Sequence, residues 1–269
     1  MRVSLFDKLF FKKRKTALVL SGGSARGLAH VGVMKVLRRE GFQFDCVVGT
    51  SIGALSAAAY ALDIPLDSLE RFALKTGAGD LIDLTISRMG LTEGNKLEAV
   101  ICTVVANKTF DDVKVPLAIT AVDIETGEGI YFTKGDLVKA IKASCSLPGI
   151  FKPVEYQNRL LSDGGLRQHL PVDIARKMGA DCIVAVDVGF CVRKGRITNM
   201  LGVIMQSIQI MGEEMSRFQS GKADILIAPK LGETVDQLAF NRAPFIIEQG
   251  RQAAEEALPL LRKFVRRRR

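Results

Sequence analysis

Gly49-Thr50-Ser51-Ile52-Gly53 is the stretch that decides how this chain is interpreted. It follows an apolar run ending in Val47 and Val48, which predicts a strand, and it precedes the small residues 54–59, which favour a helix. A serine between two glycines at a strand-to-helix turn is typical of a nucleophile elbow, where a sharp turn projects the hydroxyl into a cleft. The positions two before and two after that serine are pressed together, so glycine is favoured at both. The alternative is a tight turn whose glycines serve packing alone.

A glycine-rich loop lies upstream of the elbow. The apolar run 17–20 predicts a buried first strand, and it leads into Gly22-Gly23-Ser24-Ala25-Arg26-Gly27 before a helix. Such a loop presents free backbone amides that hold a phosphate or an oxyanion. A P-loop is excluded because Leu28 and Ala29 stand where lysine and serine or threonine are required, and a dinucleotide site fits poorly because Ser24 replaces a glycine. An oxyanion hole and a tight turn remain as interpretations.

An aspartate followed by two glycines ends a third apolar stretch, as Leu160-Leu161-Ser162-Asp163-Gly164-Gly165. Asp-Gly-Gly alone is a common turn. The order of glycine-rich loop, serine elbow and Asp-Gly-Gly is much more specific than any one of the three motifs.

With these three motifs the chain resembles the patatin-like phospholipases, which carry them in the same order. Residues 143–153 also look like the family segment that precedes the aspartate, so the resemblance covers about residues 16–190. It implies an α/β fold of three layers, α/β/α, around a mostly parallel sheet. It also implies a catalytic dyad in which Asp163 contacts Ser51 directly, without an intervening histidine.

The resemblance further implies an oxyanion hole built from backbone N–H groups of the glycine-rich loop. The residues that it assigns to the site besides the dyad are Gly22, Gly23, Ser24, Arg26 and Gly27 in the loop, Gly49 and Gly53 in the elbow, and Gly164 and Gly165 after the aspartate. Ser24 departs from the family pattern, since many members have a third glycine there, and its Cβ narrows the permitted backbone angles.

The two histidines of the chain bear on the choice between a dyad and a triad. Ser51, Asp163 and His169 occur in the Ser, Asp, His order of α/β-hydrolase triads, so a triad histidine stays open as an alternative. Only six positions separate Asp163 from His169, and residues 168–171 look like a helix entry, which favours the dyad. His30 lies before the serine in a predicted helix, and we interpret it as a structural residue.

The leading hypothesis for function is a serine acyl hydrolase of lipid esters, of the phospholipase A or lysophospholipase type. Asp163 acts as general base, Ser51 attacks the ester carbonyl, and an acyl-serine forms and is hydrolysed. An acyltransferase with the same dyad and a non-catalytic lipid-binding regulatory protein are the alternatives. We expect no metal and no cofactor, because the sequence has no histidine cluster, no CxxC pair and no acidic calcium-type loop.

Composition and periodicity predict one α/β domain. The chain has 269 residues, of which 48% are hydrophobic and 25% charged, enough for one sizeable core. Apolar runs that alternate with helical patterns predict a largely parallel sheet. The predicted strands are 17–20, 46–48, 117–123, 182–188 and 224–228, with a hairpin of 154–156 and 159–161 that turns at Gln157 and Asn158.

Charge is concentrated at the two ends of the chain. Residues 1–15 carry +5 and the C-terminal end from Arg262 carries +6, so that the total of +9 leaves −2 on the rest. We predict a basic amphipathic segment 1–15, a single catalytic domain 16–265 and a basic tail 266–269. Basic amphipathic ends favour peripheral contact with an anionic membrane, with solvated tails as the alternative. Nucleic acid is not expected, because no binding motif accompanies the charge.

The five cysteines lack disulfide-type spacing, and the N-terminus lacks the apolar region of a signal peptide. We therefore expect a cytoplasmic protein, peripheral at most to the inner face of the membrane. Residues 199–211, continuing to Met215 and Phe218, hold four of the eight methionines. This stretch predicts either a helix that packs on the sheet or an adaptable surface for acyl chains. The sequence predicts no oligomeric state, head group or chain length.

Overall fold

Short apolar segments rich in valine, leucine and isoleucine form one central sheet. The computed structural model describes residues 14–83, 89–190, 192, 196–233 and 235–265. Within those ranges eight strands join the sheet. They are β1 (Thr16–Leu20), β2 (Cys46–Gly49), β3 (Leu117–Asp123), β4 (Gly129–Phe132), β5 (Val154–Tyr156), β6 (Arg159–Asp163), β7 (Cys182–Val186) and β8 (Ile225–Ile227).

The strand order is β5-β6-β3-β2-β1-β7-β8, and β4 also pairs with β3. The five strands β3, β2, β1, β7 and β8 run parallel to one another. Antiparallel pairing is confined to β4, β5 and β6 on the β3 side of the sheet. The predicted α/β class with a mostly parallel sheet is confirmed.

Eight α-helices surround the sheet over the same described ranges. They are α1 (Ala29–Arg39), α2 (Ile52–Ala61), α3 (Leu66–Lys75), α4 (Asn95–Val105), α5 (Leu137–Cys145), α6 (Val172–Lys177), α7 (Met200–Ser220) and α8 (Ala243–Phe264). Alternate residues of β1 face opposite layers, because successive side chains of a strand point to opposite faces. Leu18 and Leu20 join the larger core with α1, α2, α5 and α8, whereas Ala17 and Val19 join a smaller core with α6.

The predicted hairpin is confirmed, and two strands differ from the sequence predictions. The hairpin is present, and Gln157 and Asn158 occupy its turn with φ of 50° and 59°. Strand β4 was not predicted, since its four residues follow the polar turn 124–128 closely. The strand predicted over 182–188 ends at Val186, although the Asp187 amide still donates to the Ile227 carbonyl of β8 at 3.0 Å. Of the basic segment 1–15 only Arg14 and Lys15 lie within the described residues, and the tail 266–269 lies outside them.

Sheet register explains why two distant motifs meet. Gly49 of β2 pairs with Ile119 of parallel β3, so the residue two positions further, Ser51, lies level with Ala121. Ala121 in turn pairs with Asp163 of antiparallel β6. The serine elbow and the Asp-Gly-Gly motif are therefore brought to the same level of the sheet by backbone hydrogen bonding alone.

Candidate active site

Ser51 occupies a strained turn between β2 and α2. Its φ of 55° and ψ of −126° are sparsely populated for a residue with a side chain. The flanking glycines are required by close contact. A Cβ on Gly49 would lie 2.2 Å from the carbonyl oxygen of Gly53, and a Cβ on Gly53 would lie 2.3 Å from that of Ser21. The geometry is that of a nucleophile elbow.

Ser51 and Asp163 are joined by a direct hydrogen bond. Ser51 Oγ donates to Asp163 Oδ2 at 2.7 Å. The other carboxylate oxygen, Oδ1, accepts from the Gly165 amide at 2.7 Å, which fixes the carboxylate plane. The Ser51 amide donates to Ser144 Oγ at 2.8 Å, and the Asp163 amide donates to the Ser146 carbonyl at 3.0 Å. Ser144 in the last turn of α5 and Ser146 directly after that helix thus anchor both partners.

Burial tunes the basicity of Asp163. The side chain is almost fully enclosed, and this desolvation raises the pKa of the carboxyl to about 6. Hydrogen bonds from Gly165 and Ser51 and the charge of His169 oppose the rise. A carboxylate with such a pKa is a better proton acceptor than a solvated aspartate and is still ionised near neutral pH.

The glycine-rich loop leaves two amides free to bind an anion. Gly23 and Ser24 have φ of 136° and 48°, and none of the described residues accepts a hydrogen bond from either amide. Gly22 differs from the expectation, since its amide donates to the His169 carbonyl at 3.0 Å. The Gly22 amide is therefore not free to bind an oxyanion, whereas the amides of Gly23 and Ser24 are.

Arg26 and Gly27 hold the loop in place and do not present donors to the site. The buried Arg26 guanidinium donates to the carbonyls of Val188 at 2.9 Å and Val235 at 2.7 Å. A Cβ on Gly27 would lie 2.1 Å from Cγ2 of Ile52, so glycine is needed for contact with the elbow. The Arg26 guanidinium therefore positions the loop by bonding backbone carbonyls instead of forming part of an oxyanion hole. Gly27 positions the loop by its close contact with Ile52.

The two histidines occupy different environments. His30 is fully buried and Nε2 bonds the Ser21 carbonyl at 2.9 Å, and burial lowers its pKa to about 4. His169 is also buried, with Nε2 at 3.5 Å from Asp187 Oδ1 and its ring against Phe190. Burial opposes ionisation of Asp187, yet bonds from His169 and Ser216 lower the pKa of its carboxyl to about 2. Ser51 donates to Asp163, which supports the dyad over a triad.

A long apolar cavity of about 380 Å³ reaches the dyad. Ser51, Asp163 and the glycine-rich loop lie at one end of it, together with Cys145. Burial, with the charge of Asp163 adding to it, raises the pKa of the Cys145 thiol, so this thiol is a poor competing nucleophile. Apolar side chains from five helices line the rest, among them Val31, Leu55, Phe72, Val104 and Met205. The cavity is suited to an acyl chain.

Sequence reasoning missed the residues that support the dyad. Ser144 and Ser146 lie in the segment 143–153, which resembles the family segment before the aspartate. That resemblance assigns no role to either serine. Thr50 Oγ1 lies 2.7 Å from Thr120 Oγ1 and donates to the Gln168 carbonyl at 2.7 Å. These contacts depend on the tertiary fold, and no spacing in the sequence predicts them.

The comparison with protein families decides the assignment. The model of the patatin-like phospholipase family matches residues 18–176, which is more than half of the chain and includes all three motifs. The chain belongs to the patatin-like phospholipase family. The match ends before α7 and α8, so the family motifs and the methionine-rich helix belong to different parts of the molecule.

Related proteins include enzymes by name and proteins without an assigned activity. An uncharacterized NTE family protein of Mycobacterium tuberculosis is 32% identical over 177 residues, covering 65% of this chain and 49% of that protein. Lysophospholipase nte1 of Aspergillus fumigatus is 35% identical over 182 residues, covering 65% and 12%. Patatin-like phospholipase domain-containing protein 7 of Rattus norvegicus is 34% identical, covering 64% and 13%. The chain thus matches half or less of each of these relatives.

Solved structures share the fold of this patatin-like chain. VipD from Legionella pneumophila has a TM-score of 0.55 at 12% identity and covers 92% of this chain and 67% of that one. ExoU of Pseudomonas aeruginosa, in complex with SpcU, has a TM-score of 0.51 at 16% identity, covering 95% and 54%. At such identities the likeness concerns the fold alone.

Proposed function

We propose that this protein is a serine hydrolase of fatty-acyl esters in phospholipids or lysophospholipids. The observation that carries the proposal is the 2.7 Å hydrogen bond from Ser51 Oγ to the buried Asp163 carboxylate at the end of a long apolar cavity. The relatives named lysophospholipase and patatin-like phospholipase support the same substrate class. Nucleophile, base and acyl-chain cavity are the parts that ester hydrolysis needs.

In the acylation step Asp163 removes the hydroxyl proton while Ser51 Oγ attacks the ester carbonyl carbon. The amides of Gly23 and Ser24 donate to the carbonyl oxygen as it becomes an oxyanion, and each such donor is typically worth about 10²–10³ in rate. The tetrahedral intermediate collapses, the bond to the alcohol breaks, and Asp163 returns its proton to the departing oxygen. An acyl group on Ser51 remains.

In the deacylation step water takes the place of the alcohol. Asp163 removes a proton from the water, whose oxygen attacks the acyl carbonyl, and the same two amides stabilise the second oxyanion. Breaking the bond to Ser51 Oγ releases the fatty acid and restores the hydroxyl. A pKa of about 6 for the Asp163 carboxyl suits both directions of proton transfer near neutral pH.

Hydrolysis of a chromogenic short-chain ester tests this proposal. We expect Ser51→Ala and Asp163→Asn each to lower kcat/KM at least about 10³-fold, because each removes a reacting group. Asp187→Asn is the matched control, since it makes the same change at another largely enclosed aspartate, whose side-chain partners are His169 and Ser216 instead of Ser51. It is expected to retain activity within about tenfold.

The competing arrangement is a triad of Ser51, His169 and Asp187. If His169→Gln and Asp187→Asn abolish turnover while circular dichroism and thermal unfolding match wild type, the dyad assignment is wrong. If Ser51→Ala retains wild-type activity, the whole site is misassigned.

We also propose that residues 16–265 act as one catalytic domain and that the basic ends, 1–15 and 266–269, contact anionic lipid. The charges of +5 on residues 1–15 and +4 on residues 266–269 support the second point. Deleting residues 1–13 and 266–269 removes most of this charge without touching a described element, and it is expected to weaken sedimentation with anionic vesicles.

A further inference from the structure

Helix α7 has an inverted distribution of polar and apolar side chains. Its buried positions are Gln209, Gly212, Ser216 and Gln219, none of which is a large apolar residue. Six of its large apolar side chains are exposed, whereas Leu201, Met205, Ile208 and Met215 are partly buried. Those of Met200, Met211 and Phe218 are 79%, 60% and 71% exposed. A helix that only covered a sheet would bury its apolar stripe and present the polar one to water.

Hydrogen bonds account for the polar side that faces the protein. Gln219 accepts from the Leu170 amide at 2.8 Å and donates to the Arg167 carbonyl at 3.1 Å. Ser216 donates to Asp187, and Gln209 accepts from Gln237 Nε2 at 3.0 Å. These bonds settle the orientation of the helix, because turning the apolar stripe inward would leave these buried groups without partners.

The exposed side chains lie along one side of the helix. We call them the outward face of α7: Met200, Val203, Ile204, Ile210, Met211 and Phe218. Their spacing follows intervals of three, four and seven residues, which places them in one stripe. Residues 200–212 contain no charged residue, so five of the six members of this face lie on an uncharged stretch of helix, and Phe218 follows Glu213, Glu214 and Arg217. By the usual rise of about 1.5 Å per residue the helix is roughly 30 Å long.

The outward face lies beside the opening of the active-site cavity. Leu201, Met205 and Ile208, on a different side of α7, line that cavity. Two further lining residues, Asn199 and Leu238, are exposed to solvent, the latter by 57%, so the cavity reaches the surface near the start of α7. Helix α7 therefore contacts the acyl-chain cavity with one side and exposes its apolar outward face to solvent on another side.

Charge next to the helix favours an anionic lipid surface as the occupant of this face. Arg193, Lys194 and Arg196 directly precede α7 in the sequence. Arg196, which lies within the described part of the chain, is exposed. An apolar stripe whose first five members lie on an uncharged stretch, preceded by basic residues, is the composition of a helix that lies in the plane of a membrane interface. No helix among the described residues has the length and apolar character needed to cross a bilayer.

We propose that the outward face of α7 docks this protein on a lipid membrane with the cavity opening at the bilayer surface. The proposal rests on the proposed function, because a lipid ester hydrolase draws its substrate from a membrane. It differs from the contact proposed for the basic ends, since it assigns apolar insertion to a described helix. Docking there lets an acyl chain move from the bilayer into the cavity along Leu201 and Met205 without crossing water.

The test compares two sets of substitutions in the full chain. The first is Met200→Ser, Met211→Ser and Phe218→Ser together, which changes the three most exposed members of the outward face. The matched control is Leu226→Ser with Leu260→Ser, at exposed apolar residues of β8 and α8 that are 44% and 53% exposed. Each set is made in the Ser51→Ala background for binding, so that vesicles are not hydrolysed, and in the wild-type background for activity.

Binding is measured by sedimentation with vesicles of equal parts phosphatidylcholine and phosphatidylglycerol. We expect the outward-face set to lower the partition coefficient at least about tenfold, since interfacial binding scales with buried apolar area, and the control set to change it less than about twofold. Both basic ends are intact in every variant, so a loss is attributable to α7. Equal binding of wild type and the outward-face set, or an equal loss in the control, overturns the proposal.

Activity on a soluble short-chain ester separates this proposal from the proposed function. We expect the outward-face set to hydrolyse that ester within about twofold of wild type and to lose activity on vesicles in parallel with binding. If wild type hydrolyses no ester but vesicle binding still depends on the outward face, the proposed function fails and the docking surface stands. If the outward face instead drives self-association in analytical ultracentrifugation and vesicles do not bind, a second copy covers it and the docking proposal is wrong.

Discussion

At the scale of single residues, the site depends on one carboxylate that is kept away from water. Asp163 sits beside Ser51 with its two oxygens occupied by Ser51 Oγ and the Gly165 amide, both at 2.7 Å. Because burial raises the pKa of this carboxyl to about 6, it can accept the serine proton without an intervening imidazole. Asp187, another largely enclosed carboxylate, has a pKa lowered to about 2 by its interactions with His169 and Ser216, despite its own desolvation, and is a weak base.

The raised pKa predicts the pH dependence of catalysis. Protonated Asp163 cannot take the proton of Ser51, so kcat/KM for a soluble ester should fall about tenfold per pH unit below a midpoint near 6. A solvated aspartate would place that midpoint near its ordinary value of 3.8. The measurement is a kcat/KM profile from about pH 4 to pH 8, with thermal unfolding at each pH to exclude loss of structure. A profile that stays flat down to about pH 4.5 would contradict a base buried in this way.

At the scale of elements, the elbow requires glycine on both sides of the nucleophile. A Cβ at position 53 would lie 2.3 Å from the Ser21 carbonyl oxygen and 2.4 Å from that of Leu20. We therefore expect Gly53→Ala to lower the free energy of unfolding by about 2–4 kcal/mol, because β1 and α2 must separate to admit the methyl group.

The matched control for this substitution is Gly79→Ala. A Cβ at position 79 meets no atom within 4 Å, so the same change is expected to alter stability by less than about 1 kcal/mol. Urea unfolding followed by circular dichroism measures both variants. Equal stabilities of the two variants would show that the elbow tolerates a side chain and that its glycines have another role.

Much of the fold and the core of the site could be predicted from the sequence, for physical reasons. Strands β1, β2, β3 and β7 are buried apolar runs, each followed by a glycine-containing turn, a local pattern that needs no tertiary information. Ser51, Asp163 and their flanking glycines follow from steric demands of turns, which are also local. The roles of Gly22 and Arg26 could not be predicted, because their partners at His169, Val188 and Val235 are more than 140 residues away.

At the scale of the whole molecule, the polar and apolar sides of α7 connect the site with the surface. The sequence predicted either a helix on the sheet or a surface for acyl chains, and α7 combines an anchored polar side, a cavity-lining side and an exposed apolar side. Sequence periodicity could not tell which stripe faces inward, because that depends on the partners of Gln209, Ser216 and Gln219. Apolar docking at α7 and electrostatic contact of the basic ends make separable predictions, since salt weakens only the second strongly.

The proposed function requires Ser51 to carry the acyl group during turnover. Trapping that acyl-serine is the most direct test. The wild-type protein, Ser51→Ala and Asp163→Asn are mixed with a chromogenic butyrate ester, quenched in acid within the first turnovers, digested and mapped by mass spectrometry. We predict a butyryl adduct on the peptide that contains Ser51 in the wild type, much slower formation of the adduct in Asp163→Asn, and none in Ser51→Ala. Turnover without an adduct on Ser51, or an adduct on Cys145 that persists in Ser51→Ala, would contradict the account.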